Sequence, residues 1–156
     1  VGKWLSSHTP LPHRIVNLAG VFNKGKGCNT AARNARSTNL FFCDCDMLVP
    51  AEVISRGMHW LAKGKAYFPG YLAADAHGQL LRPKSPGAGN AFMTLDMFER
   101  LGGWPENEMW GKFDRPVWNW FNKHDLVAEA LYERDIVPGF VHIWHPKKAG
   151  WAKPNV

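Results

Sequence analysis

Apolar residues fall in short blocks separated by glycine, proline and polar turns, and their spacing changes from block to block. "HRIVNLAGVF" (13–22) is apolar and β-branched and predicts a short strand. The glycine- and lysine-rich "NKGKG" (23–27) predicts a loop. "CNTAARNARST" (28–38) places Ala and Arg at helical spacing, with Asn29 or Thr30 as the N-cap. "NLFFCDCDMLVP" (39–50) predicts a buried strand running into a turn. Pro50 and Glu52 suit a helix start, and "AEVISRGMHWLAKG" (51–64) is amphipathic through Val53, Ile54, Met58, Trp60 and Leu61.

The second half follows the same logic. "KAYFPGYLAADAHGQLLRPK" (65–84) predicts strands around a "DAHGQ" turn, followed by a loop at 85–89. "NAFMTL" (90–95) predicts a strand and "DMFERLGG" (96–103) a short helix, capped by Asp96 and stopped by Gly102. A polar, aromatic loop (104–114) leads to a helix at 115–125. Residues 126–146 begin as strand or helix and end in the strand "GFVHIWH". The alternation of strands and helices predicts an α/β fold with a mainly parallel sheet at the front.

Composition narrows the class. A length of 156 residues suits one domain with its own core, and 46% hydrophobic residues describe a globular chain. The formal charge of +6 suits an anionic partner such as nucleic acid, a membrane surface or a phosphate-bearing small molecule. Three cysteines, two of them at i, i+2, fit neither a disulfide pair nor a zinc spacing. They read as reduced thiols, and that favours a cytoplasmic setting. No run approaches the ~18 apolar residues of a membrane-spanning helix, and no signal peptide is visible. "VGKWLSSHTPLPH" does not open like a natural N-terminus, so a fragment or a processed piece is expected.

Candidate chemistry concentrates at strand ends. On an extended backbone Asp44 and Asp46 share a face, and two like charges there call for a cation. Oxygen ligands select hard ions such as Mg²⁺ or Mn²⁺, and ligands of open α/β sheets bind at the carboxyl ends of strands. The alternative is a pair of solvated aspartates in a turn, which the apolar run directly before them disfavours. On strand alternation Cys43 and Cys45 point to the opposite face, into the core. His142 and His145 stand three apart after a late strand, and imidazole joins carboxylates on Mn²⁺-type ions. Asp114 follows Trp110 and Phe113. Apolar surface beside a carboxylate raises its pKa and suits a general base, while a helix N-cap before Pro116 is a compatible structural role. The glycine loops "NKGKG" and "SPGAGN" can cradle phosphate but fit no P-loop or Rossmann spacing.

In this order the motifs resemble a family. The chain is similar to GT-A glycosyltransferases of the family 2 and family 7 kind, particularly chondroitin-polymerase-like and C-terminal galactosyltransferase-type domains. "FNKGKGCNTAARNARSTNLFFCDCDMLVP" carries the family's F-N-K run, an apolar strand and D-x-D-M-x-x-P. "GAGNAFMTLDMFERLGGWPENEMWGKFD" resembles its acceptor-side motif, and "VHIWHP" its late H-x-x-H-P strand. The resemblance spans residues ~14 to ~146.

It implies a single GT-A-like (Rossmann-like) domain over 1–156, a mixed sheet flanked by helices. Residues 1–13 would be irregular, 14–64 the donor and metal half, 65–146 the acceptor half, and 147–156 a tail. Asp44 and Asp46 would hold Mn²⁺ or Mg²⁺ on the donor diphosphate, with His142 or His145 completing the shell and His142 the first choice. Asp114 would be the base and Glu106 an acceptor contact. Lys26, Asn29 and Gly89 would lie on the donor side, and Trp104 and Trp110 on the acceptor side. The implied reaction is inverting transfer from a UDP-sugar to a glycan or other hydroxyl, with no nucleic-acid partner.

Two departures stand out. The family's E-D pair is Phe113-Asp114 here, so the acidic neighbour of the base is lost. Against the family pattern the chain starts at the third strand: either the nucleoside-binding half lies on another chain or domain or was removed, or this is a minimal variant that binds the donor differently. Two further readings compete: a sugar-nucleotide- or glycan-binding module without turnover, and, behind it, a metal-dependent phosphoesterase or nuclease.

Overall fold

The computed structural model describes residues 16, 18–20, 23–84, 89–106, 114–123 and 132–146. Most of the 13–22 strand, the 85–88 loop, Trp110 and the tail therefore lie outside the described residues. The elements run α1 (Lys24–Arg33), β1 (Asn39–Phe42), β2 (Met47–Leu48), α2 (Ala51–Ala62), β3 (Ala66–Tyr67), β4 (Gly70–Ala74) and β5 (Leu80–Lys84). Then follow β6 (Ala91–Thr94), α3 (Leu95–Leu101), α4 (Asp114–Lys123), β7 (Tyr132–Glu133) and β8 (Ile136–His142).

Two four-stranded sheets form, in the orders β1-β6-β3-β7 and β2-β8-β4-β5. Both are mixed. Among the described residues, β3·β7 and β4·β8 are parallel and the other four pairings are antiparallel. The expected mainly parallel front sheet is therefore corrected: β1 takes the later β6 as its antiparallel neighbour. The two sheets are continuous. Hydrogen bonds from Phe68 N to Glu133 O (2.9 Å) and from Gly70 N to Asp135 O (2.6 Å) carry the parallel ladder across from β3/β7 to β4/β8.

Strand alternation sorts the core onto two sides. Leu40, Phe42, Ala91 and Met93 pack with Ala32, Phe68, Phe98, Trp104 and Val117. Phe41 turns the other way and stacks on Phe92 at 4.0 Å, beside Tyr67, Val137 and Phe140 and beneath Val53 and Leu61 of α2. Burying such apolar side chains contributes roughly 1.5–3 kcal/mol each.

The helices differ from the sequence reading in their ends and faces. α1 begins inside the expected glycine loop, where the Asn23 side chain accepts a hydrogen bond from Lys26 N (2.8 Å), so neither Asn29 nor Thr30 is the cap. Gly25 costs the helix intrinsic stability, but a Cβ there would run into the Pro105 carbonyl oxygen. α2 buries Val53, Gly57 and Leu61, at i, i+4 and i+8, and leaves Ile54 and Met58 exposed. Gly57 sets that rotation, because any Cβ on it would run into the Phe92 ring. Thr94, not Asp96, caps α3, accepting from Met97 N at 3.2 Å. Gly102 ends α3 as expected, in the left-handed conformation (φ 80°). The "DAHGQ" turn also forms: Asp75 Oδ1 accepts from His77 N and Gln79 N, and Gly78 has a positive φ of 77°.

Candidate metal and sugar-transfer site

The site grows from the end of β1. After Phe42 the chain leaves the sheet, turns at Cys45 and Asp46, and re-enters as β2. The β2·β8 register pairs Met47 with His142, and Ile143 N donates to Asp46 O at 2.8 Å. These contacts bring the carboxylate of Asp46 to the end of β8. There His142 Nε2 lies 3.2 Å and His145 Nε2 3.1 Å from Asp46 Oδ2. One donor atom from each of the three residues fits within 4.8 Å of the others. Asp46 Oδ1 is buried and takes no hydrogen bond among the described residues.

Burying a carboxylate oxygen without a donor is costly, and two imidazole nitrogens beside the same carboxylate do not neutralise it unless they are protonated. The residues therefore fit a bound divalent cation. A donor set of one carboxylate and two imidazoles suits Mn²⁺ better than Mg²⁺, which favours oxygen ligands.

The structure divides the expected aspartate pair. Asp44 carries an ion pair with Lys24 and is absent from the three-residue cluster. The alternation rule does not apply here, because the strand ends at Phe42. For the same reason Cys43 and Cys45 are exposed instead of filling the core. Cys28, half-buried on α1, has its thiol pushed up to about 11, chiefly by burial, and so carries no thiolate near neutral pH.

Gly89 is buried against the Lys24–Asp44 pair. A Cβ on it would sit 2.9 Å from both Asp44 Oδ2 and Lys24 Nζ. Asn90, also buried, accepts from Asp44 N at 3.0 Å. Lys24 and Asn90 were missed by sequence reasoning. The only signal for them was their position inside the two glycine loops already singled out. A cleft of ≈ 310 Å³ opens beside the N-terminus of α1, with Asn23, Lys24 and Lys26 in its lining.

On the other side of α1, Asn29 is 6% exposed and faces the segment 104–106, not the cleft. Its expected donor contact is thereby corrected. Trp104 is 2% exposed and packs edge-on to Phe42 (5.1 Å between ring centroids). Its ring is core, so the expected stacking on an acceptor sugar is corrected too. Glu106 lies at the surface end of this segment, and Asp114 is the first residue of α4.

The site thus defines an α/β domain with a carboxylate–imidazole cluster at a strand end, and a largely apolar cleft with two lysines at the start of α1. No protein-family model matches the chain. Among curated proteins it is similar to human chondroitin sulfate N-acetylgalactosaminyltransferase 2, with 28% identity over 87% of this chain. The mouse protein of that name and human chondroitin sulfate N-acetylgalactosaminyltransferase 1 are each 28% identical over 86% of the chain. The chain spans only 29% of the length of each of these relatives. The relatives are glycosyltransferases by name, which supports a glycosyltransferase reading of this chain. Among the described residues, no helix is long and apolar enough to cross a membrane.

Proposed function

We propose that this chain carries the metal and acceptor sides of an inverting, metal-dependent glycosyltransferase that moves a sugar from a UDP-sugar to a glycan hydroxyl. The observation that carries the reading is the Asp46 carboxylate, whose Oδ2 lies beside two imidazoles while its buried Oδ1 takes no hydrogen bond among the described residues. The glycosyltransferase names of the relatives support it.

Asp46, His142 and His145 would hold Mn²⁺, which when bound supplies charge neutralisation for the leaving diphosphate. Lys24, Lys26 and the N-terminus of α1 add positive potential on the donor side. Asn90 and Gly89 fix the Asp44 loop close to that helix. Asp114 is the base: it takes the proton of the acceptor hydroxyl as the new C1–O bond forms. The bond from C1 to the diphosphate oxygen breaks on the opposite face, and UDP leaves. The loss of the acidic neighbour at Phe113 leaves Glu106 to contact the acceptor.

A second reading, a sugar-nucleotide- or glycan-binding module without turnover, is favoured by Phe113, which stands where the family motif has an acidic residue beside the base. One assay separates them. UDP release is measured with a panel of UDP-sugars, UDP-N-acetylgalactosamine first, with Mn²⁺ and a chondroitin oligosaccharide as acceptor. Turnover that falls about 100-fold or more in Asp46→Ala and in Asp114→Asn is expected. UDP binding without turnover supports the module, and neither binding nor turnover sinks both.

A further inference from the structure

Asn29 is a buried polar residue whose partners all lie 75 to 77 residues away in sequence. Its Oδ1 accepts from Trp104 N at 2.8 Å. Its Nδ2 donates to Trp104 O at 2.9 Å and to Glu106 Oε1 at 2.8 Å. The amide offers Trp104 the donor and acceptor that a neighbouring strand would offer, and gives its remaining N–H to the Glu106 carboxylate.

Two glycines make room for this contact. Gly25, one turn earlier on α1, lets the helix lie against the Pro105 carbonyl. Gly103 has a φ of 78°, and a Cβ there would stand 2.9 Å from Asn29 Oδ1. Arg33, one turn later, brings Nη2 within 3.5 Å of the same Glu106 oxygen. The first residue of the same helix, Lys24, holds Asp44. α1 therefore touches the Asp44 loop at its start and the 104–106 segment along its length.

We propose that Asn29 is a positioning residue, which fixes the Glu106 carboxylate for a hydroxyl acceptor and registers it to the donor side through α1. The inference rests on the glycosyltransfer reading. Because Oε1 takes both contacts, Oε2 is left for the acceptor hydroxyl. A buried hydrogen bond to a charged group is worth enough to shift affinity about tenfold when it is lost.

The test compares wild type with Asn29→Asp, Glu106→Gln and the double variant, using the chondroitin oligosaccharide as probe. Acceptor KM, donor KM and acceptor affinity by NMR titration are measured, with thermal unfolding as a check on folding. Asn29→Asp sets a carboxylate against Glu106. Acceptor KM and dissociation constant are expected to rise about tenfold, with donor KM unchanged. In the double variant the amide introduced at position 106 can donate to the carboxylate introduced at position 29. Acceptor affinity then recovers in part, which a purely structural role would not give. Glu106→Gln alone keeps the Asn29 bond and raises acceptor KM without lowering the melting temperature. Wild-type turnover with acceptor KM unchanged in Asn29→Asp overturns the positioning role and leaves the glycosyltransfer reading standing. A wild-type chain that neither turns over nor binds the oligosaccharide overturns both.

Discussion

The two ends of β8 each hold an aspartate, and they are built in opposite ways. At the start, Asp135 is closed. Its Oδ1 accepts from the Tyr67 hydroxyl and its Oδ2 pairs with Arg56, which also reaches Glu52 on its own helix. Both Asp135 oxygens have a donor, and the network ties α2 to β3 and β8. At the far end, roughly 20 Å along the strand, Asp46 faces two imidazoles with one buried oxygen left over. A satisfied carboxylate network specifies packing. An unsatisfied one beside metal-type ligands is the arrangement that the proposed cation would complete.

That contrast is sharpest in stability. Asp135→Ala should cost about 2 kcal/mol, since it strands the Tyr67 hydroxyl and releases a half-exposed ion pair. Asp46→Ala should cost less than about 0.5 kcal/mol without metal, because it removes an already uncompensated group. Urea unfolding in chelator checks both, and equal losses would erase the distinction.

Gly57→Ala probes the closed end alone. Its methyl would run into the Phe92 ring and tilt α2, offsetting the gain in helix propensity, for a net loss of about 1–2 kcal/mol. Thermal unfolding should register that loss while Mn²⁺ affinity stays at the wild-type value.

The smallest effect is in pH. Burial, and then the hydrogen bond to Asp135, push the Tyr67 phenol up from its ordinary value. A phenol raised in the folded state contributes fully below the unfolded pKa of about 10, and that contribution is lost as pH rises beyond it. Tyr67→Phe should therefore flatten the alkaline fall in stability above about pH 10, at a cost near 1 kcal/mol at neutral pH. An unchanged alkaline limb would contradict this.

How much was legible in the sequence follows from the range of each interaction. The β6 and β8 strands, the α2 helix and the Gly102 stop were readable because local spacing and backbone preference decide them. The start of α1 was not. Gly25 and Gly27 read as loop, and what requires a glycine at position 25 is the close approach of Pro105, far along the chain. The antiparallel pairing of β1 with β6 is equally non-local. Asp46, His142 and His145 were each visible as ligand types at strand ends, but their meeting depends on the β2·β8 register. Asp44 was assigned to the same cation because alternation was carried past Phe42, where the strand stops. Its actual partner, Lys24, could be found only once the helix had been placed.

The central claim is that Asp46, with His142 and His145, holds the cation of a sugar-transfer site. A titration of Mn²⁺ into the chelator-treated chain, followed by electron paramagnetic resonance, tests it most directly. One Mn²⁺ per chain is expected, with binding lost in Asp46→Ala and retained in Asp135→Ala. Binding that survives Asp46→Ala unchanged, or no binding by the wild-type chain, would contradict it.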